Sequence, residues 1–149
     1  MTARGRVAAT VTAALLVVAP LSGCVTAQSC ASWPDYQDEQ SRIDESDLVV
    51  DVVVIGRDGT EPMFGADANA WIAEVRSVVS ADDEGAGVHD GDPIRLVSTP
   101  DTCASGGMYA SGDPLDTQDE VRVYLTESGT SDGSWNTLTP FDGVGPLDD

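Results

Sequence analysis

The sequence contains no lysine and little positive charge of any kind. Seven arginines stand against 26 aspartates and glutamates, which gives a formal net charge of −19 over 149 residues. A protein that binds nucleic acid without sequence preference needs a basic surface to replace the counterions of the phosphates. The composition therefore excludes that class of protein, and we expect no nucleic-acid partner.

Aromatic residues are also scarce, at 5% of the chain, although 41% of the residues are hydrophobic. That hydrophobic share is enough for a packed core, so a globally disordered chain is excluded. The length suits one domain. Because aromatic side chains are few, we expect a core that is mostly aliphatic.

Histidine, the side chain that most often acts as a general base, is nearly absent. His89 is the only histidine, and it lies between Val88 and Asp90 in a predicted loop. A Ser-His-Asp arrangement needs a positioned nucleophile beside the histidine, whereas a loop histidine is usually solvated. We therefore expect a protein that is not an enzyme, with no catalytic residue and no cofactor.

The first 23 residues have the layout of a secretory signal peptide. Arg4 and Arg6 form a short basic start, and residues 7–19 follow without a charge before Pro20. This apolar run is shorter than the roughly 20 residues that a membrane-spanning helix needs. We predict that the leader is cleaved, which would leave 26 acids against five arginines.

The leader ends in Leu21-Ser22-Gly23-Cys24, which resembles the lipobox of bacterial lipoprotein precursors. The resemblance covers residues 1–24 and implies that Cys24 receives a diacylglyceryl group, becomes the first mature residue and is acylated further by chains of the palmitate type. Two or three acyl chains make a stable anchor, so the resemblance places the protein on the cell membrane, facing outside the cytoplasm. The alternative is ordinary cleavage after Val25-Thr26-Ala27, which would remove Cys24 and release a soluble protein.

Two further cysteines, Cys30 and Cys103, remain once Cys24 is lipidated. Outside the cytoplasm oxidation is permitted, and two leftover thiols in an exported chain most economically pair. The bridge would close a loop of about 73 residues and stabilise the fold by about 4 kcal/mol in the chain-entropy model. Zinc is disfavoured, because two cysteines and one histidine do not complete the usual tetrahedron.

The rest of the chain reads as short strands with one short helix. Residues 47–55 are the clearest strand, because both faces are apolar apart from Asp51. A small closed barrel or a sandwich fits such a series of short strands. The predicted elements are a helix at 35–46, strands at 47–55, 69–80, 94–99, 120–126 and 134–139, and turns or loops at 56–67, 81–93 and 106–114.

The order of these segments resembles the netrin-like, or tissue-inhibitor-of-metalloproteinase-like, domain. The resemblance spans roughly residues 30–140 and implies an all-β fold, a small five-stranded OB-like barrel with one short helix. It also implies a bridge between Cys30 and Cys103. The segments that carry it are Cys30, Asp47-Leu48-Val49-Val50, Trp71-Ile72-Ala73-Glu74-Val75, Gly91-Asp92-Pro93-Ile94-Arg95-Leu96, Thr99-Pro100-Asp101-Thr102-Cys103, Gly112-Asp113-Pro114-Leu115 and Val121-Arg122-Val123-Tyr124-Leu125.

The chain lacks the N-terminal motif through which the protease inhibitors of that family act. Those inhibitors begin with Cys-x-Cys and chelate the zinc of the protease through the first amine, whereas here Ser32 replaces the second cysteine and the amine of Cys30 is in a peptide bond. No room remains for the long C-terminal helix after Phe141. The expected organisation is a leader at 1–23, a lipidated tether at 24–34, an OB-like barrel domain at 35–141 and an acidic tail at 142–149.

Acidic residues crowd one predicted loop and offer the hard oxygen ligands that Ca²⁺ prefers. The spacing of an EF-hand is absent, and a solvated acidic loop is the simpler interpretation. We therefore expect no metal site, and keep calcium as the alternative. The candidates are Asp82, Asp83, Asp90 and Asp92, with Glu84 between them; Asp113, Asp116, Asp119 and Glu120 form a second acidic group with the same ambiguity.

Three tryptophans, Trp33, Trp71 and Trp135, would stack on a sugar if they were exposed. In a core with so few aromatic residues we expect them to be packing anchors. The sequence thus predicts a non-enzymatic, membrane-anchored binding module whose partner is a protein or a small ligand that no motif defines. The alternative is a calcium-binding extracellular structural module.

Overall fold

The computed structural model describes residues 30–83, 85–130 and 132–147. The leader, the lipobox with Cys24, and Glu84 lie outside the described residues. The described part is mostly β with one short helix, as expected. Its elements are α1 (Glu39–Asp44), β1 (Leu48–Met63), β2 (Ala66–Ala81), β3 (Pro93–Val97), β4 (Glu120–Glu127), β5 (Trp135–Thr137) and β6 (Val144–Pro146).

All six strands belong to one sheet, and β1 is paired on both of its sides. It pairs with β2 and with β4, while β2 pairs with β3, β3 with β5, and β5 with β4. The series β1-β2-β3-β5-β4 therefore returns to β1. Every pairing is antiparallel except that of β3 with β5, which is parallel.

β1 and β2 form a hairpin that is longer than the sequence indicates. The predicted turn at residues 56–67 is wrong, because β1 continues to Met63 and β2 already begins at Ala66. Only Phe64 and Gly65 connect the strands. The second half of β1 contains Gly, Asp and Pro, and its pairing with β2 keeps it extended. The register of the two strands shifts at several points along the hairpin.

Two of these register shifts explain the exposure of large apolar side chains. Ile55 has no partner between Val54 and Gly56, and Val79 is skipped in the same way on β2. A bulged residue is turned away from the regular alternation; Ile55 is 63% exposed and Val79 is 40% exposed. An unbroken alternation along β2 would place Val79 on the same face as Trp71, and the bulge prevents this.

The core takes alternate residues from five strands and is mostly aliphatic, which confirms the expectation from composition. Trp71 and Trp135, each 7% exposed, are the aromatic members among the described residues. Leu115 enters the core from the segment before β4. The full cluster is Leu48, Val50, Val52, Trp71, Ala73, Val75, Ile94, Leu96, Leu115, Val121, Val123, Leu125 and Trp135.

The helix is shorter than the predicted range of 35–46, because its N-cap is Asp38. The Asp38 carboxylate accepts a hydrogen bond from the backbone N–H of Ser41 at 2.8 Å, which satisfies one of the free donors at the start of the helix. Glu39 then accepts from Arg122 on β4 at 2.7 Å. This contact fixes the helix against the sheet.

A last strand forms within residues 142–149, for which the sequence predicts an acidic tail. β6 pairs with the first half of β4, from Val121↔Pro146 to Val123↔Val144. Three residues with one valine give no alternating pattern, so the pairing partner and not the local sequence makes this strand.

Candidate functional site

A cavity of about 300 Å³ opens beside the tip of the β1–β2 hairpin. Its walls come from five parts of the chain: the segment before α1, the hairpin tip, the segment after β3, the end of β4 with the loop after it, and β5 with the residue after it. We call it the Trp33–Phe64 cavity. Its lining residues are Trp33, Glu61, Pro62, Met63, Phe64, Thr99, Thr126, Ser128, Thr130, Asn136, Thr137 and Leu138.

An aromatic pair forms one wall of the cavity. The rings of Trp33 and Phe64 meet edge to face, with their centroids 5.3 Å apart and their planes at 75°. Phe64 is 49% exposed, so the pair closes the cavity only in part. Trp33 thus lies at the cavity, whereas Trp71 and Trp135 are packing anchors, as predicted.

The backbone of Phe64 is strained. It has a φ of +51°, and Gly65 follows with a φ of +79°. Positive φ at both central residues is what a two-residue turn of type I′ requires, and asparagine or glycine normally occupies the first position. A left-handed conformation costs a bulky L-residue roughly 1–2 kcal/mol, so the phenylalanine is held at the cavity at the expense of stability.

Two buried polar atoms at the cavity have no hydrogen-bond partner. They are the indole N–H of Trp33 and the amide oxygen Oδ1 of Asn136, and they are the only such side-chain atoms in the part of the chain that the structure describes. One is a donor and the other is an acceptor. Leaving such an atom unpaired costs about 1–3 kcal/mol. Neither atom is accessible from the cavity, so a molecule there reaches neither of them unless the walls rearrange.

The one charged residue that lines the cavity, Glu61, is already paired. Arg95 on β3 donates to Glu61 at 3.3 Å, to Asp58 at 2.8 Å and to Asp132 at 3.2 Å. The hydrogen bond to Asp58 is the largest of the effects that raise the pKa of the Arg95 guanidinium. Three acids share this one cation, so none of its charge is left for an anionic ligand.

Hydrogen bonds fix the walls on the β4–β5 side. The backbone N–H of Thr99 donates to Oγ1 of Thr137 at 2.8 Å, and the Thr99 hydroxyl donates to the Thr137 carbonyl. In the loop after β4, the hydroxyls of Thr130 and Ser134 donate to Asp132. These bonds lower the pKa of Asp132 to about 2. The cavity is therefore preformed on this side.

Three of the four calcium candidates accept hydrogen bonds from nearby backbone N–H groups. Asp82 accepts a hydrogen bond from the N–H of Gly85 at 3.1 Å, Asp90 from Val78 at 3.1 Å and Asp92 from His89 at 2.9 Å. Asp83 is exposed at the end of β2. Within residues 30–83, 85–130 and 132–147, no three potential ligands converge on a metal position. The calcium alternative thus gains no support from the described carboxylates.

His89 lies in solvent at the surface of the same loop. Its side chain is 75% exposed, and its Nδ1 is 3.6 Å from Oδ2 of Asp92. A Gly-x-Ser-x-Gly pattern also occurs at residues 129–133. A nucleophile elbow needs a strand-to-helix turn, whereas this segment connects two strands, and its Ser131 lies outside the described residues.

Asp113, from the second acidic group, anchors the segment before β4. Its carboxylate accepts from the indole of Trp71 at 3.0 Å and from the side chains of Asn69 and Ser98, each at 2.7 Å. The backbone N–H of Leu115 is a fourth donor, at 3.0 Å. The role of this aspartate is therefore structural.

Cys30 and Cys103 are exposed free thiols in the structure. A hydrogen bond with Cys30 is the main cause that raises the pKa of Cys103 to about 11. The Cys103 thiol lies 3.5 Å from the carbonyl oxygen of Ala31. The disulfide stays a prediction.

Sequence reasoning missed two residues of the cavity, Phe64 and Asn136. The Phe64-Gly65 dipeptide carries no turn signal apart from its glycine, and Asn136 lies in a three-residue strand. No protein-family model, curated protein or solved structure matches the chain. Among the described residues, no helix has the length and apolarity needed to cross a membrane.

Proposed function

We propose that this protein is a lipid-anchored, non-enzymatic binding module on the outer side of the cell membrane, and that its ligand occupies the Trp33–Phe64 cavity. The observation that carries the proposal is the cavity itself, with the edge-to-face pair of Trp33 and Phe64 on one wall. The positive φ of Phe64 supports it, because backbone strain concentrates at functional sites.

We further propose that the sheet is an OB-like five-stranded barrel. In support, the pairings β1-β2-β3-β5-β4 return to β1, and alternate residues of all five strands share one core. OB folds use the loops between strands 1 and 2 and between strands 4 and 5 to bind ligands. The cavity lies between the same two connections, here the Phe64-Gly65 turn and the loop after β4.

The lipobox supports the anchor. Trp33 lies nine positions after Cys24, and an extended chain of that length spans at most about 30 Å. If Cys24 carries the acyl chains, the cavity is held close to the membrane surface. The acyl chains must provide the attachment, since a surface with so many acids is repelled by anionic lipid headgroups.

Binding at the cavity is tested with the full chain in micelles of a detergent that has no sugar headgroup. A library of small neutral fragments is screened by ligand-observed NMR. We expect some fragments to bind saturably, and binding to be lost in Trp33→Ala and in Phe64→Ala. Phe141→Ala is the matched control, because that ring is 65% exposed and does not line the cavity. No saturable fragment, or equal binding in all three variants, would contradict the proposal.

The anchor is tested separately. In the full chain, Cys24→Ala should abolish labelling by a palmitate analogue and release the protein from the membrane fraction, while Cys103→Ala should leave both unchanged. Retention of the unlabelled Cys24→Ala protein in the membrane would refute the lipid anchor.

A further inference from the structure

Residues 30–37, which precede α1, belong to no helix or strand. No ladder of backbone hydrogen bonds therefore holds them against the sheet. The indole ring of Trp33 nevertheless packs against Phe64 and forms part of the wall of the Trp33–Phe64 cavity. We call residues 30–33 the strap, because their position decides whether this wall is closed.

A second cavity lies between the strap and the body of the protein. Its volume is about 470 Å³, and it is lined by Ala31 and Trp33 from the strap and by Cys103 and Phe141 from the body. Protein segments are normally held in place by close packing, and an unfilled space removes the contacts on one side of the residues that line it. The strap is therefore loosely packed, and it can move away from the body without breaking a helix or a strand.

Cys103, in contrast, lies in a loop that hydrogen bonds hold in place. Its backbone N–H donates to Oδ1 of Asp101 at 2.9 Å, and the backbone N–H of Asp101 donates to the carbonyl of Met108 at 3.1 Å. Further along the same loop, the hydroxyl of Tyr109 donates to the carbonyl of Ser98 at 2.6 Å. Cys103 is thus a fixed point to which the strap can be attached.

The free end of the strap lies beside this fixed point. The Cys103 thiol is 3.5 Å from the carbonyl oxygen of Ala31, and Cys30 directly precedes Ala31. Both cysteines are exposed, so a dissolved oxidant reaches them. A disulfide needs Cα atoms about 4.4–6.8 Å apart, which a local movement of the exposed end provides. Trp33 follows Cys30 by three positions, so a bridge keeps Trp33 within about 10 Å of the attachment point.

We propose that the strap is a redox-controlled closure of the Trp33–Phe64 cavity: a disulfide between Cys30 and Cys103 fastens it, and reduction allows it to open. In the structure the strap is closed while both thiols are free, so the bridge is not needed to form the wall. It changes how often the wall opens. As regulation of the cavity this rests on the proposed function, but the opening itself is measured without a ligand.

The reaction is thiol–disulfide exchange with a small disulfide, R–S–S–R. The thiolate of one cysteine attacks a sulfur of the oxidant and releases R–S⁻, and the thiolate of the other cysteine then attacks the mixed disulfide and releases the second R–S⁻. The protein loses two electrons and two protons, and the oxidant becomes two R–SH. An added reductant reverses the reaction.

Hydrogen exchange of the Trp33 indole N–H, followed by NMR, measures the opening. This nitrogen is buried and has no hydrogen-bond partner, so its proton exchanges with solvent when the strap moves away. The full chain with Cys24→Ala, in detergent micelles, keeps Cys30 and Cys103 as its two thiols. It is compared after treatment with excess oxidised glutathione and after reduction with a phosphine, and intact mass confirms the bridge.

In the reduced protein the Trp33 proton should exchange faster than that of Trp71, whose indole N–H is bonded to Asp113 in the core. Its rate should not depend on low concentrations of urea, as expected for local opening. In the oxidised protein we expect exchange at Trp33 to be at least about tenfold slower, because the bridge restricts the open state. Cys30→Ser is the matched control: it cannot form the bridge, so both treatments should leave the fast exchange unchanged.

Three results would overturn the closure: no bridge in excess oxidant, a bridge that leaves the Trp33 exchange rate unchanged, or exchange at Trp33 in the reduced protein that is as slow as at Trp71. The fragment screen above decides the proposed function separately. If the bridge slows exchange at Trp33 but no fragment binds either form, the closure stands and the binding module fails. If fragments bind but exchange is the same in both forms, the binding module stands and the closure is wrong.

Discussion

The sequence has no lysine, so its partly buried acids accept hydrogen bonds from arginines and from neutral donors. Asp113 takes four hydrogen bonds from neutral donors. Asp51, 9% exposed, accepts two from Arg122 and one from Ser77. Each acid joins segments that are far apart in sequence, so the loss of one carboxylate removes several contacts at once.

Replacing Asp113 should destabilise the fold strongly. Asp113→Ala leaves the donors of Trp71, Asn69 and Ser98 without their acceptor, and hydrogen bonds to a charged group contribute about 1.5–3 kcal/mol each. We expect a loss of roughly 3 kcal/mol in the free energy of unfolding, measured by urea denaturation. The neighbouring exposed Asp116→Ala should cost no more than about 0.5 kcal/mol. Equal losses in both variants would contradict the anchoring role.

Tyr124 should make the protein less stable at high pH. Burial, together with its hydrogen bond to Glu39, raises the pKa of Tyr124 from 10.0 to about 12. The unfolded phenol ionises first, so this contribution to stability is full below about pH 10 and is lost as the pH rises towards about 12. Denaturant titrations over this range should show a smaller decline for Tyr124→Phe than for the wild type. Tyr36→Phe, which removes a less buried phenol, should change the decline less. Identical declines in all three proteins would refute the effect.

Cys30 and Cys103 should form one disulfide in the exported protein. Oxidation is permitted outside the cytoplasm, and the bridge would stabilise the fold by about 4 kcal/mol at most. Mass spectrometry after alkylation without reductant should show no label on either cysteine. After reduction both should be labelled, and the melting temperature should fall. Labelling of both cysteines before reduction would disprove the bridge.

At the scale of elements, the β1–β2 hairpin combines a long, well-paired body with a strained tip. The body is paired over most of its length, and the tip holds Phe64 at a positive φ. The hydrogen-bonded strands hold the turn in place, although the left-handed backbone conformation of Phe64 is unfavourable for a phenylalanine. Such a compromise is expected where function and stability have different requirements.

Phe64→Asn should therefore increase stability and reduce binding. Asparagine accepts a positive φ and forms the favoured Asn-Gly pair of a type I′ turn, so we expect a gain of about 1 kcal/mol in the free energy of unfolding. The same variant loses one wall of the cavity and should bind ligand more weakly. Phe141→Asn, at another exposed phenylalanine, should produce neither effect. A loss of stability in Phe64→Asn would show that the ring packs more favourably than its strain costs.

For the whole molecule, repulsion among the acids opposes folding. Twenty-six acids face seven arginines, and two of the arginines, Arg95 and Arg122, are taken up by five carboxylates. The remaining acids repel one another in the compact state.

Moderate salt should therefore stabilise the protein. Screening shortens the range of charge interactions to about 8 Å at physiological ionic strength, so the melting temperature should rise when NaCl is added to a low-salt buffer. Neutralising two exposed acids in Asp83→Asn with Asp119→Asn should raise the low-salt melting temperature and reduce the effect of salt. A melting temperature that falls steadily with NaCl would contradict this expectation.

Strand composition and alternation allowed much of the sheet to be predicted. Leu96 on β3 and Val123 on β4 belong to alternating apolar patterns and are fully buried, because an apolar side chain on every second residue has one stable orientation in a sheet. The cavity was not predictable in this way. Phe64 and Asn136 are 72 residues apart, and neither has a local pattern that indicates a site.

The sequence by itself determined an aliphatic core, strands near their observed positions, a strongly acidic surface and, at its start, the lipobox pattern. These properties follow from the composition and from residues that are close in sequence. They do not depend on which distant segments pack together. The tertiary structure decided the length of the β1–β2 hairpin, the bulges at Ile55 and Val79, the strand β6, and the meeting of Trp33 with Phe64 and Asn136. Each of these depends on pairing or packing between distant segments, and the free energy of such contacts exists only once the chain has folded.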